Sequence, residues 1–132
     1  MDIIADANIY LAVILNEPEK PSIIEQTRKV ELVSPEVLPY EIGNALAAMS
    51  KRNRLNKEQV LKSFNIFNMI PARLVPVNID KALDIACTFN IYAYDAYYLE
   101  LAQRLKVPLL TLDNQMQDIA KTLKIKLLEI KL

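Results

Sequence analysis

The sequence predicts an α/β fold: a three-layer α/β/α sandwich around a mainly parallel central sheet of about five strands. Short apolar runs, typical of buried parallel strands, alternate with segments of helical periodicity along the whole chain. The length of 132 residues suits one domain, and no repeat, linker or low-complexity segment divides it. We therefore expect a single domain over residues 1–132.

The composition restricts the chemistry. Sixteen basic and sixteen acidic residues give a formal net charge of zero, so nucleic-acid binding would need a local patch. The absence of histidine excludes Ser-His, Cys-His and His-metal mechanisms. A single glycine, Gly43, excludes a Gly-rich phosphate loop. If the chain is an enzyme, carboxylates must carry the chemistry, most simply with a metal.

The cysteine count and the hydropathy pattern indicate the compartment. Cys87 is the one cysteine, which excludes an internal disulfide and suits a reducing environment. We interpret Cys87 as a small, buried apolar residue. No apolar run approaches a membrane span, and Asp2 opposes a signal peptide. These features predict a soluble, cytoplasmic protein without membrane contact.

The first strand, residues 3–5, is a short apolar run that ends at Asp6. A residue at the end of a parallel strand faces the crevice where ligands bind. Asp is also a favoured N-cap, and a nearly all-apolar helix follows. The sequence therefore leaves two interpretations of Asp6 open, as a ligand and as a helix cap. The elements predicted for the first half are strands 3–5 and 30–33 and helices 8–16, 22–29 and 34–50.

The third predicted helix starts at Ser34, because a capping serine is followed by a proline and an acid. Glu41 lies at the edge of the buried face of this helix. A partly desolvated carboxylate is costly unless a cation satisfies it. A surface-edge glutamate paired with Lys or Arg explains this position equally well.

The densest positive cluster follows this helix, with four basic residues in residues 51–57. Cations are favoured at helix C-termini by the macrodipole. Contact with a phosphate backbone is the alternative. The residues that would make this contact are Lys51, Arg52 and Arg54.

The second half continues the alternation. Pro76 indicates a strand at or near an edge of the sheet. Asp95 falls in the first turn of a helix, where the dipole favours it, and we interpret the tyrosines of this helix as core packing. Asp113 directly follows an apolar strand, as Asp6 does. The elements predicted for this half are helices 56–70, 79–89, 94–106 and 114–123 and strands 73–77, 107–112 and 124–130.

Four acids are therefore predicted near strand ends: Asp6, Glu41, Asp95 and Asp113. Right-handed crossovers between parallel strands direct such ends to one edge, so we expect a shared crevice. Carboxylates this close repel unless they take up protons or a cation neutralises them. Mg²⁺ and Mn²⁺ prefer such oxygen ligands and activate water for phosphodiester hydrolysis.

Two further polar residues lie two positions from the strand-end aspartates. Asn8 follows Asp6 and Thr111 precedes Asp113. We expect their side chains to orient a carboxylate or a water molecule.

Four segments resemble the acidic signatures of PIN domains: residues 6–8, 40–46, 94–98 and 111–113. Their order, their spacing and the chain length are similar to those of the VapC toxins of toxin–antitoxin pairs. The resemblance implies a central first strand and a metal-dependent endoribonuclease that uses Mg²⁺ or Mn²⁺. It also implies a homodimer that is inhibited by a cognate antitoxin, whose tail enters the active-site groove.

The resemblance implies that these four acids form the active site, and we hypothesise a role for each. Asp6 and Asp113 would hold the main ion, and Asp95 and Glu41 would complete the site directly or through water. The chain departs from the expectation for an RNA-binding protein in having no net positive charge.

Two other functions are compatible with the sequence. A catalytically silent PIN-like module would dimerise through the apolar helix 8–16 and the tyrosines. A receiver-like or phosphatase-like domain would accept phosphate on Asp6, although no partner lysine follows a late strand.

Overall fold

The computed structural model describes residues 1–130 and confirms the alternation of strands and helices. In chain order, the elements are β1 (Asp2–Ala5), α1 (Ala7–Ile14), α2 (Lys20–Thr27), β2 (Glu31–Pro35), α3 (Leu38–Lys51), α4 (Lys57–Asn68), β3 (Arg73–Val75), α5 (Ile79–Phe89), α6 (Ala93–Leu105), β4 (Leu109–Leu110) and α7 (Asn114–Thr122).

Within the described residues, the strands form one parallel sheet in the order β3-β2-β1-β4. The first strand is central: Ile3 pairs with Leu32 of β2, and Ala5 pairs with Leu110 of β4. Its apolar residues are completely buried, as expected for a parallel strand that is covered on both faces. β3 is at an edge, as Pro76 predicted.

The sheet has four strands in residues 1–130, so the expectation of about five is wrong. The segment predicted as the last strand, 124–130, meets the sheet only at a parallel bridge between Leu109 and Leu127. The backbone N–H groups of Leu109 and Leu128 make the two hydrogen bonds at this point, to Lys126 and Leu109 respectively. Because β4 is only two residues long, it offers no ladder along which seven residues could pair.

The prediction that Ser34 caps a helix is also wrong. β2 continues through Ser34 to Pro35, and the N–H of Glu36 donates to Val75 O at 3.2 Å, so sheet bonding persists past the proline. Ser34 is buried, and its Oγ lies 3.2 Å from the Tyr10 hydroxyl in a hydrogen bond. The serine serves the core, and α3 begins later, at Leu38.

The core lies on both sides of β1. α6 packs across β1, β2 and β4 and against α5, while α1 packs against α2, α3 and α4. Cys87 is exposed on α5, which contradicts its predicted burial; Ile85 and Ala86 supply the buried face there instead. In the part of the chain that the structure describes, none of the helices has the length and apolarity to cross a membrane.

Candidate acidic site

Asp6 leaves the central strand beside Thr111. Because Ala5 and Leu110 pair in register, the residues that follow them lie side by side at the carboxyl edge of the sheet. The Thr111 hydroxyl donates a hydrogen bond to Asp6 Oδ2, and the N–H of Ile9 donates to Asp6 Oδ1 at 3.2 Å. Asp6 is therefore the N-cap of α1 and also a buried carboxylate, with 4% of its surface exposed.

Asp113 caps the next helix along this edge. Its Oδ1 accepts a hydrogen bond from the N–H of Met116 at 2.9 Å, which makes it the N-cap of α7. Its own N–H donates to Thr111 Oγ1 at 3.1 Å. Thr111 thus contacts both strand-end aspartates, and the prediction that it orients a carboxylate is consistent with this geometry.

Glu41 and Asp95 lie in the first turns of α3 and α6. Glu41 Oε1 is buried and has no hydrogen-bond partner within residues 1–130. The ion pairs of this part of the chain do not include Glu41 either, so its interpretation as a surface-edge residue paired with Lys or Arg is wrong. Asp95 is half-buried.

The four carboxyl groups act on one another electrostatically. The pKa of Asp6 is raised to about 6, mainly by burial. The hydrogen bonds from Thr111 and Ile9 lower this pKa, while the charges of Asp95 and Asp113 raise it. Burial raises the pKa of Glu41 to about 7, with further contributions from Asp95 and Asp6. The pKa of Asp95 is also raised, by burial and then by Asp113. These mutual effects indicate that the four predicted acids lie in one region of the molecule.

Sequence reasoning missed Tyr98, which it assigned to packing alone. Tyr98 is 1% exposed, and its hydroxyl has no hydrogen-bond partner in the described chain. An unsatisfied buried hydroxyl costs on the order of 1–3 kcal/mol. The signal in the sequence was its position three residues after Asp95, which places both on one face of α6.

The other predicted contact residues make no hydrogen bond or ion pair with the acids in the described part of the chain. Asn8 is exposed and makes no side-chain hydrogen bond within residues 1–130, so it does not orient Asp6 in this structure. The basic residues at the end of α3 are exposed. At about 1.5 Å per residue, the helix carries them roughly 15 Å or more from Glu41. These basic residues are Lys51, Arg52 and Arg54.

Three exposed tyrosines lie next to the acids in the chain. Tyr40 precedes Glu41 and is 79% exposed, and Tyr94 precedes Asp95 and is 54% exposed. Tyr92, at the N-cap of α6, is 85% exposed. The prediction that the tyrosines of this helix form a core stripe holds for Tyr98 but is wrong for Tyr94.

The residues at this site fit a divalent cation in their chemistry. All four donors are hard carboxylate oxygens, and Glu41 Oε1 is buried without a donor. Burial, and then the charges of neighbouring acids, raise the pKa values of Asp6, Glu41 and Asp95. No three carboxylate or thiolate side chains of residues 1–130 form a ready-made ligand cluster. Mg²⁺ is commonly held by one or two carboxylates, with water and substrate phosphate as its remaining ligands.

Comparison with known proteins identifies the fold family. The chain is 28% identical to ribonuclease VapC9 of Mycobacterium tuberculosis over 118 residues, covering 88% of this chain and 89% of the relative. The crystal structure of PAE2754 from Pyrobaculum aerophilum superposes with a TM-score of 0.71 at 20% identity, over 96% of this chain and 83% of that one. VapBC-1 from nontypeable Haemophilus influenzae superposes with a TM-score of 0.69 at 17% identity, over 98% of each chain. The PIN domain profile matches residues 3–122, and the chain therefore belongs to the PIN domain family.

Proposed function

We propose that this PIN domain is a metal-dependent endoribonuclease that hydrolyses RNA phosphodiester bonds, and that it is the toxin of a toxin–antitoxin pair. The observation that carries the proposal is that Asp6 and Asp113 follow neighbouring strands and both contact Thr111. The charges of Asp6 and Asp95 act on Glu41, and that of Asp113 acts on Asp95, which supports one shared site. The relative in Mycobacterium tuberculosis is named a ribonuclease, which supports the same activity.

In this proposal Asp6 and Asp113 hold Mg²⁺ or Mn²⁺, and Asp95 and Glu41 complete the site. When bound, such an ion neutralises the carboxylates, lowers the pKa of water and polarises the scissile phosphate. The chain supplies rigidity: Asp6 and Asp113 are fixed as helix N-caps, and Thr111 contacts both. No histidine or side-chain nucleophile is required.

The exposed tyrosines and the basic cluster give the RNA two kinds of contact. Tyr40, Tyr92 and Tyr94 offer ring faces beside the acids on which unpaired bases can stack, a sequence-tolerant interaction. Lys51, Arg52 and Arg54 would contact the backbone further along the strand. Stacking reduces the need for a strongly basic surface, which this chain lacks.

We propose partners from the same reasoning. The similarity to VapBC-1 supports a cognate antitoxin as a binding partner, and the resemblance to VapC toxins supports a homodimer. Size-exclusion chromatography with light scattering, alone and with the product of a neighbouring small reading frame, tests both.

The rival functions have less support. The helix that contains α1 and the tyrosines were the surfaces assigned to a silent dimerising module. Six residues of α1 are buried within the molecule, so that interface would have to rely on the exposed tyrosines. Among the described residues, Asp6 makes no ion pair with a lysine of the kind that a phosphoacceptor site needs.

The test compares Asp6→Asn with Asp118→Asn, a matched change at an exposed aspartate of α7. A labelled single-stranded RNA is incubated with each protein in Mg²⁺ or Mn²⁺, with EDTA as the negative arm. We expect D6N to lower the rate by roughly 100-fold or more, because several kcal/mol of charge stabilisation depend on the ion. D118N should cleave as the wild type does. Equal cleavage by D6N and wild type would contradict the assignment.

A further inference from the structure

Two buried polar groups of the acidic site have no regular hydrogen-bond partner in the described residues. Tyr98 Oη and Glu41 Oε1 are the buried side-chain oxygens that lack a partner within residues 1–130. They interact: the Tyr98 hydroxyl lowers the pKa of Glu41, although the contact does not reach the geometry of a regular hydrogen bond. One group is a neutral donor and the other an acceptor, so a small adjustment would satisfy both.

Packing alone does not account for a tyrosine here. A phenylalanine would fill the same volume without burying an unsatisfied hydroxyl. The other buried tyrosine provides the contrast, because the Tyr10 hydroxyl is hydrogen-bonded to Ser34 Oγ at 3.2 Å. The Tyr98 hydroxyl has no such regular hydrogen bond, and it interacts with the Glu41 carboxylate.

Glu41 needs such a donor. Of the four acids, Asp6 is held by Thr111 and Ile9, and Asp113 is held by Met116. Glu41 has neither a capping hydrogen bond nor an ion pair in the described chain. The Tyr98 hydroxyl is therefore the protein group available to restrain it.

We propose that Tyr98 is a positioning residue whose hydroxyl restrains Glu41, and so holds this carboxylate where it would serve as a ligand of a divalent cation. This inference rests on the proposed function. It assigns Tyr98 no contact with the RNA or the reacting atoms. Its effect passes through Glu41, as outer-sphere hydrogen bonds commonly act on metal ligands.

The test measures Mn²⁺ affinity by calorimetry for wild type, Tyr98→Phe and the matched control Tyr10→Phe. We expect Y98F to bind Mn²⁺ about 10- to 100-fold more weakly, the usual effect of removing an outer-sphere partner. Its thermal midpoint should change little, because the Tyr98 hydroxyl makes no regular hydrogen bond in the described chain. Y10F should show the reverse, with unchanged Mn²⁺ affinity and a lower midpoint.

A double-mutant cycle with Glu41→Gln separates positioning from a general packing effect. If Tyr98 acts through Glu41, Y98F should weaken Mn²⁺ binding no further in the E41Q background. Additive losses, unchanged binding by Y98F, or a Y98F protein that unfolds would each overturn the inference. A wild-type protein that neither binds Mn²⁺ nor cleaves RNA would overturn the proposed function as well.

Discussion

The Thr111 hydroxyl donates a hydrogen bond to Asp6 Oδ2, although 105 residues separate the two in the chain. The Thr111 hydroxyl oxygen also accepts a hydrogen bond from the N–H of Asp113 at 3.1 Å. One hydroxyl thus bridges the ends of β1 and β4 and contacts two carboxylate-bearing residues. This arrangement follows from the register of the two strands, which places Asp6 and Thr111 directly after the paired residues Ala5 and Leu110.

We predict that Thr111→Val weakens RNA cleavage by about 10- to 100-fold, while Thr111→Ser retains most of it. Valine keeps the shape of threonine but removes the hydrogen-bond donor that favours the charged form of Asp6. The pKa of Asp6, about 6 in the wild type, should therefore be higher in T111V. The rate–pH profile of T111V should therefore shift to higher pH. Steady-state cleavage measured across pH checks both effects.

Thr122→Val is the control, because the Thr122 hydroxyl makes a comparable hydrogen bond, to Asp118 O, on the exposed side of α7. It should leave the rate and the profile unchanged. A T111V protein with the wild-type profile would mean that the hydroxyl does not control Asp6.

Much of the site was predictable because strand ends are visible in the sequence. Apolar runs that stop at Asp6 and at Thr111-Leu112-Asp113 fix where two acids leave the sheet, and parallel topology places those ends at one edge. Glu41 and Asp95 followed from helix patterns, because a carboxylate at the edge of a buried face needs a partner. The cap and ligand interpretations of Asp6 proved compatible, since its two oxygens serve different partners.

The parts of the fold and of the site that the sequence did not predict depend on contacts between distant segments, which local patterns do not encode. The segment 124–130 has strand-like composition, but the two-residue β4 limits it to one bridge. Ser34-Pro35-Glu36 satisfies the rules for a helix start, yet β2 pairs through it because β3 lies alongside. The role of Tyr98 depends on a glutamate from another helix, so periodicity alone shows only that the tyrosine is buried.

Without metal, the acidic site should make stability fall as the pH rises. The folded-state pKa of Asp6 is raised to about 6 and that of Glu41 to about 7, so the folded state binds more protons than the unfolded state above about pH 4. We expect the contribution of Asp6 to the free energy of unfolding to fall by roughly 2 kcal/mol between about pH 4 and about pH 8. Urea unfolding in EDTA across this range measures it.

The control for this prediction is Asp6→Asn, which keeps the shape of the side chain but does not titrate. The free energy of unfolding of D6N relative to wild type should increase with pH over that interval. Adding Mn²⁺ at about pH 8 should stabilise the wild type and not D6N, because a ligand of the native state stabilises it by mass action. A pH-independent difference between the two proteins would contradict the assignment of Asp6 as a destabilised carboxylate.

Tyr94→Ala should raise the KM for single-stranded RNA by roughly 5-fold or more and change kcat less, because stacking contributes about 1–3 kcal/mol per base. Tyr94→Phe should keep a wild-type KM, since the ring provides the stacking face. The Tyr94 ring packs edge-on against Tyr97 at 6.1 Å, which supports it beside Asp95. Met69→Ala removes an even more exposed apolar side chain elsewhere and should have no effect. An unchanged KM in Y94A would exclude stacking on this ring.

The basic cluster at the end of α3 should govern the salt dependence of RNA binding. Arg52 and Arg54 are exposed and make no ion pair within residues 1–130, so both remain available to phosphates. Each phosphate contact on a single strand contributes about 0.7 to the slope of log K against log salt. The double variant R52A/R54A should therefore lower that slope by roughly 1.4 and weaken RNA binding. Fluorescence anisotropy measures this, with every protein also carrying D6N so that the RNA is not cleaved. Lys29→Ala with Lys121→Ala is the charge-matched control, because both lysines are exposed and make no ion pair in the described residues. An equal loss of slope in both variants would show that the cluster is only a solvated helix end.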